Sequence, residues 1–157
     1  MIGRKMEKTG PASTDNRNTS DATEKKPLGI DLPNSEEELF LLNNYPLLDI
    51  NTGINNCGDK SMLQELLNMM VKQELPLELH KIQLAHDNLD WDKIEKLAHK
   101  LKSGALYCGT VRLKFACQYL ERYRKAGYSQ LLDKLYLQLI RVANETEQSI
   151  NNWIFSH

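Results

Sequence analysis

Little in this chain points to a scaffold held by cross-links or by a metal. Its three cysteines, Cys57, Cys108 and Cys117, are an odd number without Cys-x-x-Cys spacing. That usage excludes an obvious disulfide framework or zinc site, and a reducing cytoplasm is the simpler setting. No apolar run approaches the length of a membrane span, so no membrane insertion is expected. Arg4, Lys5 and Lys8 are not followed by an apolar segment, so no secretory signal is expected. There is also no charge excess: the formal net charge is −1, which argues against nucleic-acid binding through a broad basic surface. Walker-type and Rossmann glycine patterns are missing, as are internal repeats and any convincing period-2 alternation.

What is present suits one helical domain with an appendage. The chain has 157 residues, 41% of them hydrophobic, enough for a folded core. Residues 1–34 are polar with mixed charges, too poor in large apolar side chains to offset their ordering entropy. They read as a disordered tail or linker, leaving 35–157 as the helical domain. Ser35 and Glu38 have capping-box spacing, opening a short helix to about Asn43, and Tyr45-Pro46 ends it. Leu48–Gly53 and Asn55–Gly58 look loop-like. Asp59 or Ser61 can cap a helix reaching about Glu74, with Met62, Leu63, Leu66, Leu67, Met70 and Val71 as its stripe. Pro76 interrupts the pattern and suits the first turn of the next helix, which continues through Leu79, Ile82, Leu84 and Ala85 and closes at Asp87-Asn88. Asp90 caps a helix over about 91–108. Gly109 can take the left-handed conformation that ends it, and Thr110 can cap a helix over 110–126. That short link requires an antiparallel hairpin. Gly127 stops the second helix, and a long one runs from Ser129 to about Trp153. The expected fold is all-α, an antiparallel four-helix bundle with a short N-terminal helix.

The helix over 91–108 carries an off-stripe histidine. Ile94, Leu97, Ala98, Leu101 and Ala105 fall at the spacing of a buried face. His99 lies off that face, one turn from Glu95, Lys96, Lys102 and Ser103. Small residues and lysines around it leave room for an anion. His80, His86 and His157 have no comparable surroundings. Met62, Met69 and Met70 read as core filler. Leu106 and Tyr107 are open to either partner contact or core packing. Arg122, Arg124 and Lys125 form a solvated face, or in a sharper reading a dock for an acidic rim.

Ala98-His99-Lys100-Leu101-Lys102-Ser103-Gly104-Ala105, with Gly109 ten residues after His99, resembles the histidine phosphotransfer (HPt) domain of bacterial multistep phosphorelays. The family pattern is roughly Ala-His-x-Leu-Lys-Gly-Ser-Ala with a further glycine at that tenth position. Here the Gly-Ser pair is reversed, as Ser103-Gly104. Arg112-Leu113-Lys114 to Cys117-Gln118-Tyr119-Leu120-Glu121 looks most like the HPt domains at the C-termini of hybrid sensor kinases. The resemblance covers about residues 47–150.

The resemblance implies a phosphoryl carrier without an ATP site of its own, accepting phosphate on His99 from a receiver aspartate and passing it to another receiver. Imidazole, with a reference pKa near ~6.5, keeps a neutral nucleophilic fraction at cytoplasmic pH. Lys102, three residues on, would stabilise phosphoryl charge. Ser103 and Gly104 would give clearance for the receiver, with Leu106 on the docking surface. Mid-helix Gly104 costs up to ~1 kcal/mol relative to alanine, which suggests close packing or partner approach. Glu121 matches the position that orients the histidine in many HPt domains; the plainer reading pairs it with Arg124 or Lys125. The resemblance implies no bound cofactor or metal, with Mg²⁺ belonging to the receiver. The implied partners are response-regulator receiver domains and a hybrid sensor kinase, and a monomer is expected. The Ser103-Gly104 reversal leaves one alternative: a helical adaptor that binds receivers without relaying phosphate.

Overall fold

The computed structural model describes residues 28–156. Six α-helices make up most of that span: α1 Ile50–Cys57, α2 Lys60–Met69, α3 Leu75–Asp87, α4 Trp91–Tyr107, α5 Val111–Lys125 and α6 Leu132–Ser156. Two short 3₁₀ turns, Glu37–Phe40 and Leu42–Asn44, precede them. There is no strand among the described residues. A π-turn over Met70–Glu74 joins α2 to α3 without a break, so the first column of the bundle is continuous from 60 to 87. The wider π-turn ends at Glu74, two residues before Pro76, which has no N–H for the helical ladder. This column packs on α4 and α6, and α5 packs on α4 and α6 in turn, closing an all-helical bundle.

The helix boundaries follow from local chemistry. Asp59 Oδ1 accepts from Met62 N at 2.8 Å and caps α2, and Asp90 Oδ1 accepts from Lys93 N at 3.1 Å and caps α4. Gly109 at φ 81° and Gly127 at φ 98° follow α4 and α5 in the left-handed region. Ser35 Oγ accepts from Glu38 N at 3.4 Å, but the turn it opens is 3₁₀.

Several expectations are corrected. Leu48–Gly58 is not loop throughout: residues 50–57 form α1, capped by Asp49, whose two carboxylate oxygens accept from Thr52 N at 3.1 Å and Thr52 Oγ1 at 2.8 Å. Those bonds hold the Asp49 carboxyl below the usual range. Thr110 precedes α5 but does not cap it with its side chain. Its hydroxyl is buried and donates to Ala105 O at 2.9 Å, satisfying the end of α4 instead. Met62, Met69 and Leu84 are exposed, so of the three methionines only Met70 fills core. The last helix begins at Leu132 rather than Ser129.

Of the segment read as a tail, residues 1–27 lie outside the described residues. Residues 28–34 are strapped along α5, so this part of the expectation is also corrected. Leu32 is buried, Gln118 Nε2 donates to Asp31 O at 2.9 Å, Tyr128 Oη donates to Leu28 O at 2.8 Å, and Arg122 meets Asp31 at 3.5 Å. Two leucines and these polar ties supply what the segment's composition lacks.

The core is the predicted stripe and its counterparts. Ile94, Ala98, Leu101 and Ala105 of α4 face Leu113, Ala116, Cys117 and Leu120 of α5 and Leu135, Leu139 and Val142 of α6, all buried. Burial pushes the Cys108 thiol up to about 11 and Cys117 higher still. All three cysteines are free.

Candidate functional site

The α4–α5 hairpin builds the site. Because Ala98 and Leu101 face the core, His99 is turned outward, and 60% of its side chain is exposed. Glu121 sits on α5, nearly as far from the Gly109 turn in the other direction. Its neighbour Leu120 is fully buried, and so is Glu121 itself, at 1% exposure.

His99 Nδ1 lies 2.8 Å from Glu121 Oε2. A carboxylate at that distance accepts, so Nδ1 carries the proton and the neutral ring keeps its lone pair on Nε2. Lys102 Nζ donates to the other oxygen, Oε1, at 2.8 Å, and its side chain is only 15% exposed. One buried carboxylate is therefore held between an imidazole and an ammonium. Burial alone would raise the Glu121 pKa. Hydrogen bonds from Lys102 and His99, with their charges, outweigh it and hold the carboxyl below its ordinary value.

His157 lies outside the described residues; the site residues singled out from the sequence each have a definite place. Glu121 meets His99 and Lys102, not Arg124 or Lys125. Arg124 instead bonds Asp92 at 2.8 Å and Glu95 at 2.9 Å, and Lys125 meets Glu95 at 3.0 Å. With Arg122 on Asp31, these three cations are neutralised within the chain, which removes the basis for a basic dock. Lys102 is bonded to Glu121 at rest rather than standing free for an incoming anion. Ser103 and Gly104 are exposed, and a Cβ added at Gly104 would meet nothing within 4 Å. Close packing within the chain is therefore not the reason for this glycine. Leu106 and Tyr107 are about half exposed, outside the core. His86 lies at the bundle end, stacked on Tyr136 at 3.8 Å and 3.0 Å from Asp133, away from the His99 cluster. Among the described residues no group of three or more His, Cys, Asp or Glu is arranged to hold a metal, and no helix is long and apolar enough to cross a membrane.

The linkage of Glu121 to folding has a definite sign. A carboxyl with a lowered folded pKa contributes stability that is present above its ordinary value of 4.5 and lost as pH falls through the folded value. Glu121→Gln has no such titration. Its stability should fall less steeply than that of the wild type as the pH is lowered from about 5. Denaturant melts across that range check this; parallel curves would refute it.

The bundle thus presents an exposed imidazole from one helix face, with one ring nitrogen held by a buried carboxylate on the next helix. The family model for the Hpt domain matches residues 63–150, and the chain belongs to that family. No curated protein and no solved structure matched the chain. Hpt domains are phosphoryl carriers, not enzymes, and the protein is a phosphotransfer module relaying phosphoryl groups between receiver domains in two-component signalling.

Proposed function

We propose that His99 is the residue that carries the phosphoryl group, with Nε2 as the attacking atom. The observation that carries this reading is the 2.8 Å contact of Nδ1 with Glu121 on an otherwise exposed ring. Nε2 attacks the phosphorus of a receiver's aspartyl phosphate. The bond between phosphorus and the acyl oxygen breaks, and its electron pair returns to the receiver's carboxylate. The phosphorylated ring keeps its proton on Nδ1, where Glu121 stabilises the resulting positive charge. Reversal on a second receiver completes the relay.

Glu121 is the positioning residue, and Lys102 is its counter-ion at rest. For Lys102 to bond a phosphoryl oxygen directly, its ammonium must leave Oε1. Even in place it lowers the electrostatic cost of bringing a phosphoryl dianion to this face. Ser103, Gly104 and Leu106, all exposed one or two turns from His99, form the surface on which a receiver closes. Mg²⁺ belongs to that receiver. The partners are receiver domains, including one of a hybrid sensor kinase, and the setting is the cytoplasm.

The decisive experiment is transfer from a panel of phosphorylated receivers to the full chain, with the label's lability in acid and its persistence in base recorded. Acid-labile, base-stable label is expected. If receivers bind but none transfers, the relay reading fails for this chain and the adaptor reading replaces it. Gly104→Ala separates docking from folding. It should stabilise the helix by up to ~1 kcal/mol, since the new Cβ meets nothing, while slowing transfer by obstructing the receiver. Thermal melts and transfer rates give the two signs; faster or unchanged transfer would remove Gly104 from the docking surface.

A further inference from the structure

A groove of about 400 Å³ runs between α3 and α4 beside the site, separate from the His99–Glu121 contact. Met70, Leu77 and Leu101 line it with apolar surface, and Gly104 leaves it open along α4. Its polar residues are Gln73, the acidic pair Glu74 and Glu78, and Lys100 opposite them. Glu78 is the unusual member: it is only 6% exposed. Lys100 Nζ donates to its Oε2 at 3.2 Å, and Lys81 stands 3.6 Å from the same oxygen. Oε1 is buried and has no hydrogen-bond partner among the described residues.

A buried carboxylate oxygen without a donor is costly, and a carboxylate can accept several hydrogen bonds. Both neighbouring ammonium groups sit on Oε2 and Oε1 is covered, so a group in the groove can reach both oxygens with two parallel N–H donors only once Lys100 has moved aside. A guanidinium does this and an ammonium does not. Lys100 is two-thirds exposed and can return to water without losing a packed position. The apolar walls suit the methylene stem of an arginine whose head reaches the acidic end.

We infer that this groove docks a helix of the receiver domain that carries an arginine, and that its guanidinium displaces Lys100 and pairs with both oxygens of Glu78. Glu78 is then a residue that selects among receivers. The inference rests on the relay reading above for the identity of the partner; the charge pattern of the groove rests on the structure.

The first test needs no receiver. The ¹⁵N-labelled full chain is titrated with N-acetyl-arginine amide and with its neutral isostere, N-acetyl-citrulline amide. Saturable shifts at Leu77, Lys100 and Gly104 are expected with the arginine probe alone. Glu78→Gln should abolish them, and Lys100→Met should tighten binding by about threefold or more. Equal response to the two probes, or indifference to Glu78→Gln, overturns the inference. Should Glu78→Gln fail to fold, Lys100→Met decides, since weaker or unchanged binding contradicts displacement.

The second test uses receivers that label the wild type. Glu78→Gln should raise the half-saturating concentration of phosphorylated receiver about tenfold, leave the maximal single-turnover transfer rate unchanged, and lose this effect when the receiver's arginine is replaced. Label on the wild type with no change in the half-saturating concentration overturns the inference and leaves the relay reading intact. Absence of label from every receiver, with arginine amide still seated in the groove, overturns the receiver as occupant and the relay reading with it.

Discussion

Replacing His99 with glutamine is expected to abolish phosphoryl acceptance while leaving stability within about 0.5 kcal/mol of the wild type. Both halves follow from the position of the ring. Its side chain is 60% exposed, so little packing is lost. Its nucleophilic atom, Nε2, is free because Nδ1 is committed to Glu121. An amide nitrogen has no comparable lone pair, since it is delocalised into the carbonyl, but the same amide can still donate to Glu121. Lys102 also remains on Oε1, so the carboxylate is not left buried without a partner. The experiment compares labelling by a phosphorylated receiver with a thermal melt of the same variant. Persistent acid-labile label would move the phosphoryl site to another histidine, with His80 on the exposed face of α3 the first to examine. A large fall in melting temperature would mean that His99 carries structural weight that its exposure does not indicate.

Gly109→Ala should be the most damaging alanine substitution among the described glycines. Two independent costs coincide there. At φ 81° the backbone is in the left-handed region, which costs a non-glycine residue roughly 1–2 kcal/mol. The new Cβ would also collide with the carbonyl oxygen of Asp49, a backbone atom that is itself engaged with Gly53 N at 3.0 Å. Asp49 N in turn donates to Gly109 O at 2.8 Å, so relieving the clash breaks the seam between α1 and the hairpin. A loss of about 3 kcal/mol or more is expected, corresponding to roughly 10 °C in Tm for a domain of this size. Gly58→Ala is the control. Its φ of 110° with ψ of −44° lies outside the left-handed helical basin, and nothing lies within 4 Å of the added Cβ, so only the backbone cost of about 1–3 kcal/mol applies. Equal losses in the two variants would show that the contact with Asp49 carries no weight.

The parts of this molecule that were legible in the sequence are those governed by short-range chemistry. Asp59 and Asp90 cap the helices they precede, Gly109 and Gly127 follow α4 and α5, and the stripe from Ile94 to Ala105 is buried except for Leu97, which is partly exposed. The pairing of His99 with Glu121 was implied by the family resemblance and not by any single-helix pattern; the tight hairpin, which sets residues at similar distances from its turn side by side, only made it reasonable. What escaped depends on tertiary contacts. Helix α1 contains Asn51, Gly53, Asn55 and Asn56, poor helix formers all. It exists because Asp49 caps it and because Gly53 lets it press against Leu63 and the backbone of Cys108, where a Cβ would come within 3 Å. Residues 28–34 gave no periodic signal, and their attachment lies in Asp31, Gln118 and Tyr128. The pairing of Lys102 with Glu121 joins two helices, and so does the contact of Lys100 with Glu78. No single-helix pattern exposes either.

The partners of Glu121 are close along the chain: Lys102 is 19 residues away and His99 is 22. The bonds that seat the N-terminal turns bridge far longer intervals, 67 residues from Arg112 to Tyr45 and 99 from Gln138 to Leu39. Loop-closure entropy grows with such separations, and local contacts are the ones topology allows to form fastest. The imidazole–carboxylate–ammonium cluster is therefore native to one hairpin and carries little entropic debt to the rest of the domain. The walls of the docking groove come from two helices and a π-turn, and they exist only once the bundle closes. Chemistry and recognition in this protein thus rest on contacts of different range.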